Sequence, residues 1–183
     1  INSITSFITE QIIIYQIEKR VTFKVSCKSL KADIFTDRVI IEGAKIVSAH
    51  QFGEEPFIYI PRIEGYFRYK SLFKKKIIMD DFVYYEPQVF LECSPEGKWN
   101  FPTKKKFRKG RWFFTQSHWR VKEGRLIIKD GWVAPEPFFL TFENIEVKAT
   151  NFSNQIPTHA RYFFNAQLVS PGPTLPVKGK GKA

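Results

Sequence analysis

Sulfur-containing residues and histidine are scarce in this sequence, which limits the metal chemistry that the chain can support. Its 183 residues include two cysteines, Cys27 and Cys93, one methionine and three histidines. A structural zinc site uses four closely grouped soft ligands, and the two cysteines do not have the spacing of a ligand pair. We therefore predict no metal site and no cofactor. A disulfide and two buried free thiols both stay open as readings of the cysteines.

Sequence motifs of catalysis are missing as well. The chain contains no Gly-x-Ser-x-Gly elbow, no glycine-rich phosphate-binding loop and no His-x-x-x-His pair. Its histidines, His50, His118 and His159, are scattered along the chain without partner spacing. We predict that the protein is not an enzyme and has no catalytic residue and no small-molecule substrate.

No apolar run reaches the length of about 18 residues that a membrane-spanning helix needs. Within residues 1–20, apolar residues recur at three- and four-residue spacing, at Ile4, Phe7, Ile8, Ile12 and Tyr15. This spacing predicts one amphipathic helix. The helix is expected either to pack under a sheet or to follow a membrane anchor that precedes Ile1.

Most of the remaining chain alternates apolar and polar residues with a period of two, which is the pattern of half-buried strands. It predicts strands at residues 21–28, 39–47, 57–69, 77–82, 89–93, 119–121, 126–129, 138–147 and 160–168. Turn signals occur at 42–43, 52–53, 95–97, 123–124, 130–131 and 135. We predict a mainly β fold: a curved antiparallel meander sheet, forming an open groove or half-barrel, with one N-terminal amphipathic helix.

An internal similarity suggests how the β-rich region is organised. Residues 38–43 (RVIIEG) are echoed by residues 125–131 (RLIIKDG), and Glu-Pro-Phe follows each segment. We predict one β-rich domain, residues 21–169, with related halves at 21–101 and 112–169 joined by a basic loop. Chance similarity within a β-rich composition is the alternative. Residues 170–183 are rich in Pro, Gly and Lys and are predicted to be a linker or a disordered tail.

The charge balance is strongly basic. There are 29 Lys and Arg against 18 Asp and Glu, a formal net charge of +11 and a pI near 9.6. Such a surface attracts nucleic acid, anionic lipid head groups or acidic proteins. The residues predicted to contact a head group or partner are Lys74, Lys75, Lys76, Lys104, Lys105, Lys106, Arg108, Lys109 and Arg111. Because the chain has no known nucleic-acid-binding motif, nucleic acid is the less favoured partner.

The aromatic and aliphatic residues at alternating positions form the other candidate site. They either line a groove for acyl chains or fill a core between the sheet and a helix. The residues predicted for this lipid-facing or core groove are Phe23, Val25, Ile41, Tyr59, Phe67, Leu91, Phe138, Leu140 and Phe142.

Several segments, in their order, resemble a known family. They are residues 57–69 leading into Ser71-Leu72-Phe73, then 85–91 (YEPQVFL), 95–101 (PEGKWNF), 121–126 (VKEGRL) and 139–147 (FLTFENIEV). From about Asn2 to Phe152, this order is similar to that of the AsmA family and its TamB-like relatives.

The resemblance implies a periplasmic β-domain attached to the bacterial inner membrane. Related proteins are thought to carry phospholipid between membranes or to assist envelope assembly, so membrane lipid and membrane proteins are the implied partners. We therefore expect a non-enzymatic, membrane-anchored domain that contacts lipid. An accessory structural subunit of a larger membrane complex and a nucleic-acid-binding protein that uses its basic loops are the alternatives.

Overall fold

Strands make up almost all of the ordered elements in the computed structural model, which describes residues 23–33, 35–48, 55–101, 113–133, 136–153, 160–169 and 175–182. The strands are β1 (Phe23–Ser26), β2 (Ser29–Asp33), β3 (Arg38–Ser48), β4 (Ile58–Phe67), β5 (Lys76–Tyr85), β6 (Gln88–Cys93), β7 (Phe113–Asp130), β8 (Phe138–Ser153), β9 (Arg161–Val169) and β10 (Leu175–Lys182). A short 3-10 helix, Tyr69–Lys74, lies between β4 and β5. The predicted mainly β fold is confirmed. The predicted N-terminal helix lies outside the described residues.

All ten strands belong to one sheet, which consists of a meander of six strands in four columns and a meander of four strands. In the first meander, β1 and β2 lie end to end along β3, β4 follows, and β5 and β6 lie end to end beyond β4. The second meander runs β7, β8, β9, β10. Both are antiparallel throughout.

The two meanders are joined by a parallel pairing, which the sequence did not predict. β5 and β6 both run parallel to β7, from Lys76 beside Phe113 to Cys93 beside Asp130. The sheet is therefore antiparallel except at this junction. A parallel pair requires a long crossover, and here residues 94–112 connect β6 to β7, so that the chain returns to the starting end of the sheet before β7 begins.

A row of irregular residues crosses the sheet at mid-height. Its members are Gly43, Pro61, Glu86, Glu123 and Asn144, which the strand registers place side by side. All but Pro61 have positive φ, between 49° and 61°. We call these five residues the kink row. Bulges and left-handed residues of this kind bend a strand and increase its twist, so the aligned row curves the whole sheet.

The kink row also shifts the alternation of side chains by one residue. Ile60 and Ile63 both lie in the buried core, although residues three apart on a regular strand point to opposite faces. The predicted turns at residues 42–43 and 123–124 are consequently wrong, because both lie within strands. The segments predicted as separate strands, 119–121 and 126–129, are parts of the single 18-residue strand β7.

The buried core lies on one face of the first meander. It consists of Val39, Ala44, Ile60, Ile63, Phe67 and Phe82. Tyr69 and Leu72 of the 3-10 helix pack against one end of it. Gly65 of β4 is needed for close packing, because a Cβ there would lie 2.7 Å from Cγ of Phe82. The core is therefore a tight contact between β3, β4 and β5.

The C-terminal segment differs from its prediction. Residues predicted to be a linker or disordered tail form β10, which pairs with β9 from Leu175 to Lys182. Gly179 and Gly181 stand opposite Phe164 and Tyr162, and a Cβ on either glycine would overlap the ring of its partner. The Lys-Gly repeat thus has a structural reason: glycine leaves room for an aromatic ring on the neighbouring strand.

Two further features can now be placed. The echoed segments do not occupy equivalent positions, since residues 38–43 begin β3 whereas residues 125–130 end β7. Relatedness of the two halves therefore stays a prediction. Cys27 and Cys93 do not form a disulfide with each other, and Cys93 is buried, which raises the pKa of its thiol.

Candidate functional site

One face of the sheet is apolar from the first meander into the second. In the second meander the registers align apolar residues in rows across three strands. Trp119, Ala149 and Tyr162 form one row; Val121, Val147 and Phe164 form the next; Leu126, Phe142 and Leu168 form a third. Ile128 and Leu140 pair beyond them. We call the apolar face of β7, β8 and β9 the open wall.

The open wall is much more accessible than the core of the first meander. Val39 is 4% exposed in the core, whereas Phe138 at the far end of the wall is 53% exposed and Tyr162 at the near end is 42% exposed. Among the elements that the structure describes, β8, β9 and β10 contact only their neighbours in the sheet. No described element therefore forms a second layer over the wall.

A polar pair marks the boundary between the core and the open wall. The amide of Gln116, itself buried, donates a hydrogen bond to Oη of Tyr84 at 3.1 Å. The Tyr84 ring meets Trp119 edge to face, with centroids 6.3 Å apart. Burial raises the pKa of the Tyr84 hydroxyl, so the group stays neutral near pH 7 and adds no charge to the apolar surface.

The structure brings most of the predicted groove residues to this apolar face. Val25, Ile41 and Phe67 pair with residues of that face in the first meander, and Leu91 pairs with Ile128 of the open wall. Phe138, Leu140 and Phe142 lie on the open wall itself. Phe23 is placed only by its backbone pairing with Ser48.

Tyr59 is the exception, and its prediction as a groove residue is wrong. It pairs with Lys45 and Gln88 on the opposite face, and Nζ of Lys45 lies 5.9 Å from its ring centroid. Tyr59 lies on the same strand as Ile58 and Ile60, both of which face the apolar side, so the period of two already argued against it.

Sequence reasoning also missed part of the wall. The contributions of β7 and β9, among them Leu126, Ile128, Phe164 and Leu168, were not among the predicted groove residues. The alternation of residues 160–168 was a usable signal for β9. For β7, the irregular residue Glu123 obscured which positions share a face.

The opposite face of the second meander carries ion pairs together with exposed apolar side chains, among them Phe139 and Phe163. Nε of Arg125 lies 3.2 Å from Oε1 of Glu143, and Nζ of Lys129 lies 2.7 Å from Oε1 of Glu92. A shallow groove of about 610 Å³ on this face is lined by charged and aromatic residues, including Lys45, Tyr59, Arg125 and Phe139. The ion pairs of the second meander therefore lie on the face opposite to the open wall.

The predicted basic contacts are only partly described. Lys74, Lys75 and Lys76 are exposed where the 3-10 helix meets β5, and the backbone N–H of Phe113 donates to O of Lys75 at 3.0 Å. Residues 104–111, which carry the other predicted contacts, lie outside the described residues.

The described part of the chain offers few groups for metal chemistry. Within it, no three His, Cys, Asp or Glu side chains come together as metal ligands would. No helix in that part has both the length and the apolar character required to span a bilayer.

Comparison of the sequence with protein-family models and with curated proteins gives no match.

Proposed function

We propose that this protein is a non-enzymatic lipid-contacting β-domain whose open wall receives the acyl chains of membrane lipids. The observation that carries the proposal is the set of aligned apolar rows on β7, β8 and β9, over which no described element packs. Contiguous exposed apolar surface of this kind marks ligand grooves, membrane contacts or protein interfaces. No bond has to be made or broken, so the function needs no catalytic group.

The physical requirement for this function is modest. An acyl chain that leaves water gains about 0.8 kcal/mol for each buried methylene, and this gain requires only an apolar surface long enough to cover the chain. β7 is 18 residues long and therefore extends about 60 Å at 3.3 Å per residue. The part of β7 that carries the open wall, from Trp119 to the end of the strand, is at least as long as a single phospholipid acyl chain.

The resemblance to the AsmA family supports the cellular setting of the proposal. It suggests a domain that is anchored to the bacterial inner membrane and faces the periplasm, where it handles phospholipid or supports envelope assembly. A sheet with a continuous apolar face, over whose second meander no described element packs, agrees with that setting.

Retention of lipid by paired variants tests the proposal. Leu140 and Thr141 are neighbours on β8 that point to opposite faces, the first to the open wall and the second to the groove on the other face. We expect Leu140→Asn to reduce the phospholipid that copurifies with the protein, as measured by native mass spectrometry after gentle extraction. Thr141→Asn, the matched control, should retain it.

Lipid-free protein from every preparation would contradict the proposal, as would equal losses in the two variants. Thermal unfolding of both variants would show whether a loss of lipid reflects a loss of folded protein instead.

A second candidate function, an accessory structural subunit, is favoured by the edge of the sheet. β10 is an edge strand in the described sheet, and Lys178 and Lys180 alternate along it with glycines. Exposed edges accept a further strand by backbone pairing, while lysines on an edge discourage nonspecific pairing. A partner with an acidic strand would fit this edge. Site-specific cross-linking from residue 178 in membranes should then capture one defined protein. Recovery of uncross-linked monomer alone would count against the structural-subunit function.

A further inference from the structure

Two almost fully exposed phenylalanines lie at the same end of the sheet. Phe35 occupies the turn between β2 and β3 and is 91% exposed, and Phe73 lies in the 3-10 helix after β4 and is 92% exposed. The two elements adjoin, because the backbone N–H of Phe67 donates to O of Asp37 at 2.7 Å. Exposed Phe is costly in water, and two such residues at one end require an explanation.

Local structure holds both phenylalanines outward. Oδ1 of Asp33 accepts a hydrogen bond from the backbone N–H of Phe35 at 2.9 Å, which fixes the turn. In the 3-10 helix, Tyr69 and Leu72 pack on the core, so Phe73 must point away from it. Because the backbone is already ordered, inserting these side chains into another phase costs little additional conformational entropy.

Lysines flank Phe73 at this end of the sheet. Lys70, Lys74, Lys75 and Lys76 are all exposed on or next to the 3-10 helix. They outnumber the carboxylates of the adjoining turn, Asp33 and Asp37. This end therefore presents apolar tips within a net positive field.

The second meander presents further aromatics at the same end. Phe113 begins β7 and Phe152 lies near the end of β8, and both are about half exposed. We call Phe35, Phe73, Phe113 and Phe152, together with the four lysines, the aromatic end.

We propose that the aromatic end docks onto the surface of an anionic lipid bilayer, with Phe35 and Phe73 inserted among the head groups and the lysines at the phosphates. Interfacial binding combines buried apolar side chains with attraction of Lys to anionic lipid, and this end has both. Nucleic acid is a less suitable partner, because base stacking uses aromatic rings arrayed along a groove. Phe35 and Phe73 instead project from two separate elements, a turn and a 3-10 helix.

Docking of this end would orient the molecule. The strands would stand away from the bilayer, and the row of Trp119, Ala149 and Tyr162 would be the part of the open wall nearest to it. Docking does not require that the wall bind acyl chains, so the two proposals can fail separately.

Flotation of the full chain with vesicles tests the docking. We expect binding to phosphatidylcholine vesicles that contain phosphatidylglycerol, much weaker binding to phosphatidylcholine alone, and a decrease as salt is raised. The double variant Phe35→Ser/Phe73→Ser should bind at least about tenfold more weakly, given the transfer free energy of two Phe side chains. Lys74→Ser/Lys75→Ser should also weaken binding by about tenfold or more, since each Lys near the surface contributes about fivefold.

Matched controls lie elsewhere on the molecule. Trp132→Ser removes an exposed aromatic residue beyond the end of β7, at the opposite end of the sheet, and Lys178→Ser/Lys180→Ser removes two exposed lysines from β10. Both controls should bind vesicles within about twofold of the parent protein, because neither touches the aromatic end.

Three outcomes would overturn the docking proposal: equal binding to neutral and anionic vesicles, equal losses in test and control variants, or Phe-dependent binding of an oligonucleotide without vesicle binding. The acyl-chain proposal is tested separately by Leu140→Asn, which should lose copurifying lipid and still float with anionic vesicles. A protein that floats normally with vesicles but never retains lipid would refute the acyl-chain proposal and leave the docking proposal intact.

Discussion

Replacing Gly65 with alanine tests the contact on which the core of the first meander depends. The added Cβ would lie 2.7 Å from Cγ and 2.8 Å from Cε2 of Phe82, well inside the about 3.5–4.0 Å of a favourable carbon contact. Phe82 is only 5% exposed, so its ring cannot swing freely into solvent. Gly65 does not have positive φ, and the effect is therefore steric. We expect Gly65→Ala to lower the free energy of unfolding by about 2–3 kcal/mol.

A double-mutant cycle separates this overlap from other effects of alanine. Phe82→Leu should itself cost about 1–2 kcal/mol through lost packing, but it removes the ring that the new Cβ of Gly65→Ala would overlap. In that background Gly65→Ala should cost less than about 1 kcal/mol, giving a coupling near 2 kcal/mol. Urea unfolding followed by tryptophan fluorescence and circular dichroism gives all four free energies, provided that the m-values agree.

Additive costs would refute the reasoning, because they would mean that residue 65 and the Phe82 ring do not compete for the same space. A stabilised Gly65→Ala single variant would refute it more directly, since a strand gains from alanine over glycine only where the side chain fits.

The remaining predictions concern the kink row, the 3-10 helix and the edge strand. Glu123→Gly should raise the free energy of unfolding by about 0.5 kcal/mol in a urea titration, because it relieves a positive φ of 54°, whereas Lys122→Gly should lower it. Tyr69→Phe should stabilise by about 1 kcal/mol, because the Tyr69 hydroxyl is buried without a hydrogen-bond partner among the described residues. Burial of the Tyr69 hydroxyl, together with the nearby charges of Asp37 and Asp33, raises its pKa from 10.0 to about 12. Between these pH values the folded chain keeps a proton that the unfolded chain loses, so the free energy of unfolding should fall as pH rises from about 10 to about 12. The fall should be smaller in Tyr69→Phe. Gly179→Val should overlap the Phe164 ring and speed amide exchange in β10 without unfolding β3 or β4.

The strands of the sheet were predictable because each strand has one face that is more buried and one that is more exposed to solvent. β3, β4, β6, β8 and β9 all fall where the alternation of apolar and polar residues predicted them. A period of two follows directly from the geometry of an extended chain, so it survives in the sequence wherever one face is shielded from water.

Glycine signals misled the prediction at the kink row. Glu42-Gly43 and Glu123-Gly124 were read as turns because turns and bulges both use residues that tolerate positive φ. Only the register of the neighbouring strands distinguishes the two, and register is a property of residues far apart in sequence. Gly43 lies opposite Pro61, and Glu123 beside Glu86, across strands that no local pattern connects.

The direction of the β5–β7 pairing was unpredictable for a similar reason. The alternation of apolar and polar residues shows which face of a strand is buried. It carries no information on whether the neighbouring strand runs parallel or antiparallel. Short turns usually settle the question in favour of antiparallel hairpins. Residues 94–112 are too many for a tight turn, so both directions were open.

The candidate site exposes a deeper limit of the alternating pattern. Val39 and Leu140 both lie in strands on the apolar face of the sheet, yet the first is buried in the core and the second lies on the open wall. The difference is made by what packs on each strand, which is a tertiary property. The first meander has the buried cluster, and the second is held to it mainly by backbone pairing along β7. A polar substitution at Leu140 should therefore cost less stability than one at Val39, and this difference is what allows the function of the wall to be tested in a protein that still folds.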